Sequence, residues 1–148
     1  MDPNIPFRKP SPGERVFNRI FGFLVGLGLG LPHNYLVEVR GRKSGRTFST
    51  PIDLLEFGGK CFLVAPRGRT QWVRNAEAAG EVTLKKGRMQ QRFRVRAISE
   101  DQKPELLKAY LDRFKTTVQR YFPVRAGSPP EAFVEVAPQY PVFELTPI

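Results

Sequence analysis

The chain has 148 residues, with 24 Lys and Arg against 14 Asp and Glu, a formal net charge of +10, one histidine and one cysteine. This length fits one domain with its own core, and a hydrophobic content of 41% excludes general disorder. A single cysteine and a single histidine exclude an internal disulfide and a Cys/His metal site, so no metal is expected. The positive charge indicates a polyanionic partner, which could be nucleic acid, an acidic membrane surface, or a phosphorylated or polycarboxylate small molecule.

The N-terminal region divides into a proline-rich arm over residues 1–12 and an amphipathic helix from 13 to about 28. We expect no secretory signal, because prolines precede any apolar stretch. The apolar run over residues 20–31 is shorter than the roughly 20 residues that span a bilayer. Arg15 and Arg19 flank the apolar face, so the helix could pack on its own domain or lie on an anionic membrane. The protein is therefore expected in the cytoplasm, with peripheral contact at the inner membrane face as an option.

The sequence that follows this region is typical of a small β protein. Runs rich in β-forming residues predict six strands, over residues 35–40, 47–57, 60–65, 81–86, 88–99 and 140–146. Two helices are predicted, over 71–79 and 104–120. Short, mostly antiparallel strands with flanking helices predict a mainly β (α+β) fold, a closed or split β-barrel, as a single domain over residues 13–148.

Six residues in or beside these elements carry specific expectations. Pro51 within the second strand indicates an edge or a bulge. Cys61 is predicted to be a buried, inert thiol in a reducing compartment, and His33 a surface residue. The alternation of residues 88–96 places three arginines, Arg92, Arg94 and Arg96, on an outer face.

Residues 40–51 hold the strongest functional signal. Arg42, Lys43 and Arg46 stand beside Gly41 and Gly45 at the tip of a predicted hairpin. Backbone N–H groups of such a turn can point into one concavity, where cations and the Ser44 hydroxyl add attraction for an anion. The alternative is a solvated turn whose charge serves solubility. A second basic turn, over residues 66–70, follows one strand later.

The ordered combination of these motifs resembles a known family. It consists of Gly41-Arg42-Lys43-Ser44-Gly45, then Ser49-Thr50-Pro51, a strand ending Val64-Ala65, a basic loop, and Trp72-Val73-Arg74-Asn75. It resembles the deazaflavin-dependent nitroreductases, also described as actinobacterial F420H2-dependent quinone reductases, over roughly residues 35–98. The resemblance implies a split β-barrel related to FMN-binding barrels.

The resemblance also implies a cofactor and its contacts. Coenzyme F420 is a deazaflavin with a phosphodiester and an oligoglutamate tail, which would account for the charge. The positions matching the family's cofactor-binding motifs are Arg42, Lys43, Ser44, Gly45, Arg46, Pro51, Ala65, Pro66, Arg67, Gly68, Arg69, Trp72 and Asn75. Two positions depart from the family: Phe48 stands where an arginine is common, and Pro66 where a small or hydroxyl residue is frequent.

A reductase of this kind would pass a hydride from reduced deazaflavin to a quinone, enone or nitroaromatic acceptor, and the resulting anion would need a proton. The candidate donors are Tyr110, Tyr121 and Tyr140, each of which could instead be structural. Two other functions stay open: a flavin-binding (FMN) or non-catalytic barrel of the same fold, and a basic nucleic-acid-binding barrel. The latter is disfavoured because the aromatic residues follow core spacing. A lipophilic acceptor is the expected partner, and the protein could be a monomer or a homodimer.

Overall fold

The computed structural model describes residues 33–148. The arm over 1–12 and the helix predicted over 13–28, with its possible membrane contact, lie outside the described residues. The secondary-structure elements are β1 (Asn34–Arg40), β2 (Thr47–Phe57), β3 (Lys60–Val64), α1 (Gln71–Ala79), β4 (Glu81–Lys86), β5 (Met89–Ala97), α2 (Lys103–Val118) and β6 (Val142–Pro147). All six predicted strands and both helices in this range are confirmed, with differences of one to two residues at several ends, as expected where helices and strands fray.

The six strands close into a barrel in the order β1-β2-β3-β6-β5-β4, and each neighbouring pair is antiparallel. Closure pairs strands that would otherwise expose hydrogen-bonding groups at an edge. The mainly β barrel predicted from strand spacing is thus confirmed.

Two apolar cores hold the fold together. The barrel core joins the barrel interior to α1 and includes Val37, Leu54, Leu63, Val73, Leu84 and Phe143. The helix-side core lies between the barrel and α2 and includes Leu55, Phe62, Leu107, Leu111, Phe114 and Phe133. Each large apolar side chain buried in this way contributes about 1.5–3 kcal/mol. Leu54 and Leu55 belong to different cores because successive side chains of a strand point to opposite faces.

β2 is the strand that opens the barrel. It pairs with β1 from Thr47 to Asp53 without interruption, whereas β3 pairs with it only from Leu54 to Phe57. Among residues 33–148, the first half of β2 therefore has a strand on one side only. The edge predicted at Pro51 is confirmed, whereas the predicted bulge is absent from this pairing. A cleft forms beside this free edge.

The other specific expectations have mixed outcomes. Arg92, Arg94 and Arg96 are exposed on β5, as predicted, and Arg92 and Arg96 form ion pairs with Glu81 and Glu144. The prediction of a buried Cys61 was wrong: the thiol is half-buried at the margin of the barrel core, because β3 begins at the rim of the barrel. Partial burial and the nearby Glu56 carboxylate raise the pKa of the Cys61 thiol.

Candidate functional site

A cleft of about 450 Å³ lies beside the free edge of β2, and we call it the β2 cleft. Four separate segments line it: Thr50–Asp53 of β2, Val64–Gly68 with Thr70 and Trp72, Tyr110 with Thr117 and Val118 of α2, and the following Arg120 and Tyr121. Its walls thus combine backbone of the open strand with aromatic and aliphatic side chains. A largely apolar cleft with a few polar groups is the usual form of a cofactor or substrate site.

A second cleft of about 370 Å³ adjoins the first, and we call it the basic-turn cleft. It is lined by Gly41, Arg42, Lys43, Ser44, Phe48, Ser49, Thr50, Gln71, Trp72 and Asn75. Thr50 and Trp72 line both clefts. One elongated ligand could therefore occupy both, passing between the indole and the Thr50 side of β2.

The basic turn between β1 and β2 is held by short-range hydrogen bonds. The Gly41 N–H donates to Arg46 O at 2.6 Å, and the Gly45 N–H donates to Gly41 O at 3.0 Å. Gly45 has φ of 74°, a conformation that side-chain-bearing residues rarely adopt. Gly41 is buried against Phe48, whose Cε2 atom would lie 2.7 Å from an added Cβ. These two glycines are therefore needed for the shape of the turn.

Asn75 fixes this turn to α1. Its Oδ1 atom accepts hydrogen bonds from the Arg42 backbone N–H at 3.1 Å and from Arg42 Nη1 at 2.8 Å. Arg42 Nη1 also donates to Gln71 Oε1 at 2.8 Å. Asn75 is only 4% exposed, so these bonds are shielded from water. All three cations of the turn are exposed to solvent, but only Arg42 is held in place over the basic-turn cleft by these hydrogen bonds.

The start of α1 faces both clefts and adds positive potential. Thr70 occupies the N-cap position without a side-chain cap hydrogen bond, and its buried Oγ1 atom has no partner within the described chain. The free N–H groups at a helix N-terminus attract anions. A hydroxyl without a partner beside them fits a ligand that brings its own oxygen atoms.

A carboxyl group lies at the opposite side of the β2 cleft. Asp53 Oδ1 accepts from the Asn34 side-chain amide and lies 3.3 Å from His33 Nε2. Thr117 Oγ1 donates to Asp53 Oδ2 at 3.4 Å. Burial raises the pKa of Asp53, against the lowering effects of the nearby His33 charge and of the hydrogen bonds from Thr117 and Asn34.

The three candidate tyrosines differ in position. Tyr110 and Tyr121 line the β2 cleft, whereas the Tyr140 hydroxyl donates to Tyr121 O at 2.5 Å. Burial, together with the charges of Asp53 and Tyr121, holds the pKa of Tyr110 well above its usual value. Burial raises the pKa of Tyr140 to about 12. Both phenols therefore keep their protons at neutral pH, and Tyr140 supports Tyr121.

Residues 33–148 contain no group of three or more His, Cys, Asp and Glu side chains placed to bind a metal ion. Within the same range, no helix has the length and apolar character needed to cross a membrane.

The comparison with protein families decides the membership of the chain. Residues 15–126 match the model of the family described as F420H(2)-dependent quinone reductase. The chain belongs to this family. It is thereby an F420H2-dependent oxidoreductase, which confirms the resemblance carried by the basic turn and the Trp72 motif. No protein of curated function matches the chain significantly.

Solved structures share the fold at low sequence identity. One, described as an F420-H2 dependent reductase (FDR-A), has a TM-score of 0.53 and 18% identity, over 78% of this chain and 95% of that chain. Another, described as a domain-swapped dimer, has a TM-score of 0.56 and 19% identity, over 90% and 93% of the two chains. A Listeria innocua protein named for pyridoxamine 5′-phosphate oxidase has a TM-score of 0.51 and 9% identity, over 84% and 90%. These likenesses show that the chain shares the split β-barrel fold.

The two clefts fit the F420 coenzyme implied by the family. The β2 cleft has the indole of Trp72 and apolar side chains for a flat ring, and the basic-turn cleft has cations for an anionic tail. The unpartnered Thr70 hydroxyl lies where the clefts adjoin the N-terminus of α1. Most of the sequence-predicted residues line one cleft or the other. Four do not: Gly45 and Arg46 lie in the basic turn, Arg69 pairs with Glu77, and Tyr140 lies behind Tyr121.

Several lining residues were not predicted from the sequence. They are Thr50, Asp53, Thr70, Gln71, Thr117 and Arg120. Asp53 carried a usable signal, because it is an acidic residue within the apolar run of β2, where an isolated charge is costly. His33 was expected at the surface, and its side chain is 26% exposed beside Asp53.

Proposed function

We propose that this reductase reduces a quinone, enone or nitroaromatic acceptor, with the deazaflavin ring in the β2 cleft and the phosphodiester and tail in the basic-turn cleft. The observation that carries the proposal is the junction of the two clefts at Thr50 and Trp72. The β2 cleft offers aromatic and apolar surface beside Arg67 and Arg120, and the basic-turn cleft offers Arg42 and Lys43, so together they match a ligand with a flat ring and an anionic tail.

Different residues bind the tail and the ring of the coenzyme. Arg42, Lys43 and Ser44 bind the anionic tail, and the N-terminus of α1 at Thr70 adds N–H groups toward the phosphodiester. Trp72 forms a wall for the ring and is itself oriented by an edge contact with Phe143 at 6.1 Å between ring centroids. Phe48, in place of the arginine common in the family, packs on Gly41 and leaves Arg42 as the cation fixed in this cleft.

When bound, the reduced coenzyme supplies a hydride, and the protein supplies position, exclusion of water and protons. Tyr110, Val118 and Tyr121 cover the β2 cleft on the α2 side and leave an apolar surface for an acceptor ring. These groups support a lipophilic, planar acceptor. Tyr121 keeps its place as a candidate donor because its hydroxyl accepts from Arg120 at 2.8 Å and stays near the cleft.

The test is reduction of an acceptor panel by the purified protein with reduced F420. Menadione, cyclohexenone and a nitroimidazole represent the three acceptor classes, and oxidation of the coenzyme is followed by its absorbance. We expect turnover with at least one planar acceptor, and slower turnover for Trp72→Ala than for Trp72→Phe. Absence of turnover with all three, despite coenzyme binding, would contradict the proposed acceptor class.

A further inference from the structure

Asp53 is a carboxyl group in an unusual position on β2. Its neighbour Leu55, two residues along the same strand face, is part of the helix-side core under α2. The Asp53 side chain is 14% exposed and still lines the β2 cleft. Burying a carboxylate on an apolar face is unfavourable unless it is paired, so the partners of Asp53 determine whether it is charged or neutral there.

The partners of Asp53 contact both of its oxygen atoms, and these contacts must break and re-form if the carboxyl group turns. Oδ1 is occupied by the Asn34 amide and approached by His33 Nε2, whereas Oδ2 meets only the long contact to Thr117 within the described residues. Thr117 lines the β2 cleft as well. The single hydroxyl hydrogen of Thr117 can instead go to Phe114 O, 3.1 Å away, which leaves Oδ2 as the oxygen available to hold a proton.

His33 connects this carboxyl group to a different cleft. A cavity of about 290 Å³ is lined by His33, Tyr35, Leu54, Glu56 and Arg113. The imidazole packs against the Phe114 ring at a tilt of 38°, with 4.7 Å between ring centroids. The pair thus has Asp53 in the β2 cleft and His33 in this second cavity, which we call the His33 cleft.

We propose that His33 and Asp53 form a relay that carries protons from the His33 cleft to the β2 cleft during acceptor reduction. This rests on the proposed function. An acceptor that has taken up a hydride carries an added negative charge, and one proton completes the two-electron reduction.

The proton moves from His33 to Asp53 and from Asp53 to the acceptor. The Oδ2–H bond of Asp53 breaks and an O–H bond forms on the reduced acceptor. His33, as the imidazolium, passes its Nε2 proton to Oδ1 of the carboxylate and becomes neutral imidazole, and Nε2 then regains a proton from hydronium that enters through the His33 cleft. A half-turn about the Cβ–Cγ bond of Asp53 returns the protonated oxygen to the β2 cleft. The reduced deazaflavin is the reductant and the acceptor is the oxidant, so no further redox partner is needed.

Other titratable and charged groups face the pair from the elements around it. Tyr110 and Arg113 face it from α2, Glu56 from β2 and Tyr35 from β1, while Arg67, Arg120 and Tyr121 lie on the opposite side of the β2 cleft. The His33 charge lowers the pKa of Asp53, against the raising effect of burial. Removing the histidine should therefore raise the pKa of Asp53 further.

The test uses Asp53→Asn, His33→Gln and the control Asp112→Asn in the full chain. Asp112 is a carboxylate of the same helix-side region that bonds Lys108 Nζ at 2.8 Å and lines neither cleft. A ¹³C NMR titration of the Asp53 carboxyl group, without coenzyme, should show its midpoint moving to higher pH in His33→Gln. With coenzyme, Asp53→Asn should keep F420 affinity within about twofold, while kcat falls by about 100-fold, the scale of a lost proton donor.

The pH profile separates a relay from a structural role. In the wild-type protein, kcat should fall as pH rises through the range in which the pair loses its shared proton. In Asp53→Asn that dependence should disappear, whereas Asp112→Asn should keep it with unchanged kcat. An Asp53 midpoint unaffected by His33→Gln, or wild-type kinetics in Asp53→Asn, would overturn the relay. A wild-type protein that binds F420 but reduces no acceptor would instead refute the proposed function.

Discussion

The two clefts differ in how the chain builds them. The basic-turn cleft comes mostly from one stretch, residues 41–50, and its cations are exposed. The β2 cleft comes from β2, the connection from β3 to α1, and the end of α2 with the residues after it, which are distant in the sequence, and its walls combine aromatic and aliphatic groups with polar ones that include Arg67 and Arg120. The difference suggests a division of roles, in which the basic-turn cleft attracts and retains an anionic tail while the β2 cleft controls chemistry.

The largest expected effect is on the charged end. Replacing Arg42 and Lys43 together with Ala should weaken F420 binding by about 2–4 kcal/mol, since each charge-assisted hydrogen bond contributes about 1.5–3 kcal/mol and neighbours are not fully additive. Isothermal titration calorimetry measures the change. The matched control is Arg88→Ala with Arg94→Ala, which removes the same charge from exposed positions lining neither cleft. Equal loss of affinity in both double variants would reduce the role of the turn to net charge.

A smaller effect is expected from the buried link between the turn and α1. Asn75→Ala removes the acceptor of two part-buried Arg42 hydrogen bonds and should reduce F420 affinity by about 0.5–1.5 kcal/mol, the usual net contribution of a hydrogen bond. Gln71→Ala, which removes only one exposed contact to the same guanidinium, should have less effect. Calorimetry checks both variants. If Gln71→Ala were as harmful as Asn75→Ala, the turn would not depend on its buried anchor.

The smallest expected effect is the contribution of Asp53, in the β2 cleft, to the thermal stability of the protein. Because burial raises the pKa of Asp53, the folded protein favours the neutral carboxyl group. The stabilising contribution of the neutral form is present at low pH and lost as pH rises through the raised pKa. Asp53→Asn should thus have a higher thermal midpoint than wild type at pH 7, and the difference should vanish near pH 3. A lower midpoint at pH 7 would show that Asp53 serves the fold, contrary to its proposed role in proton transfer.

The contrast between the clefts also explains what could be read from the sequence. The basic turn was predicted because its glycines, cations and Ser44 are contiguous, and strand spacing on either side placed it at a hairpin tip. The closed barrel followed from strands whose ends are marked by Gly58, Gly59 and Gly87. Such signals are local, so they can be recognised from the sequence without the structure.

The β2 cleft could not be predicted in the same way, because it forms through contacts between residues that are distant in the sequence. Asp53 meets Thr117 across 64 positions of sequence, and its pairing with His33 follows from the β1–β2 register, in which Asn34 lies opposite Asp53. No local pattern sets the position of α2 over β2. The role of Asn75 as an anchor for Arg42 was likewise hidden, since only the folded barrel places α1 beside the turn.

The division of roles can be tested most directly by the fluorescence of Trp72, the single tryptophan of the chain, which lies between the clefts. Titrations with F420, with the same deazaflavin lacking its phosphodiester and tail, and with FMN would be run at low salt and at physiological salt, where screening acts over about 8 Å. We expect F420 to bind with the highest affinity, measured by the quenching of Trp72 fluorescence, and this affinity to fall as the salt concentration rises. The tail-free ring should bind with lower affinity, and its affinity should depend little on salt. Binding of the tail-free ring or of FMN as tightly as F420 at both salt concentrations would contradict the account.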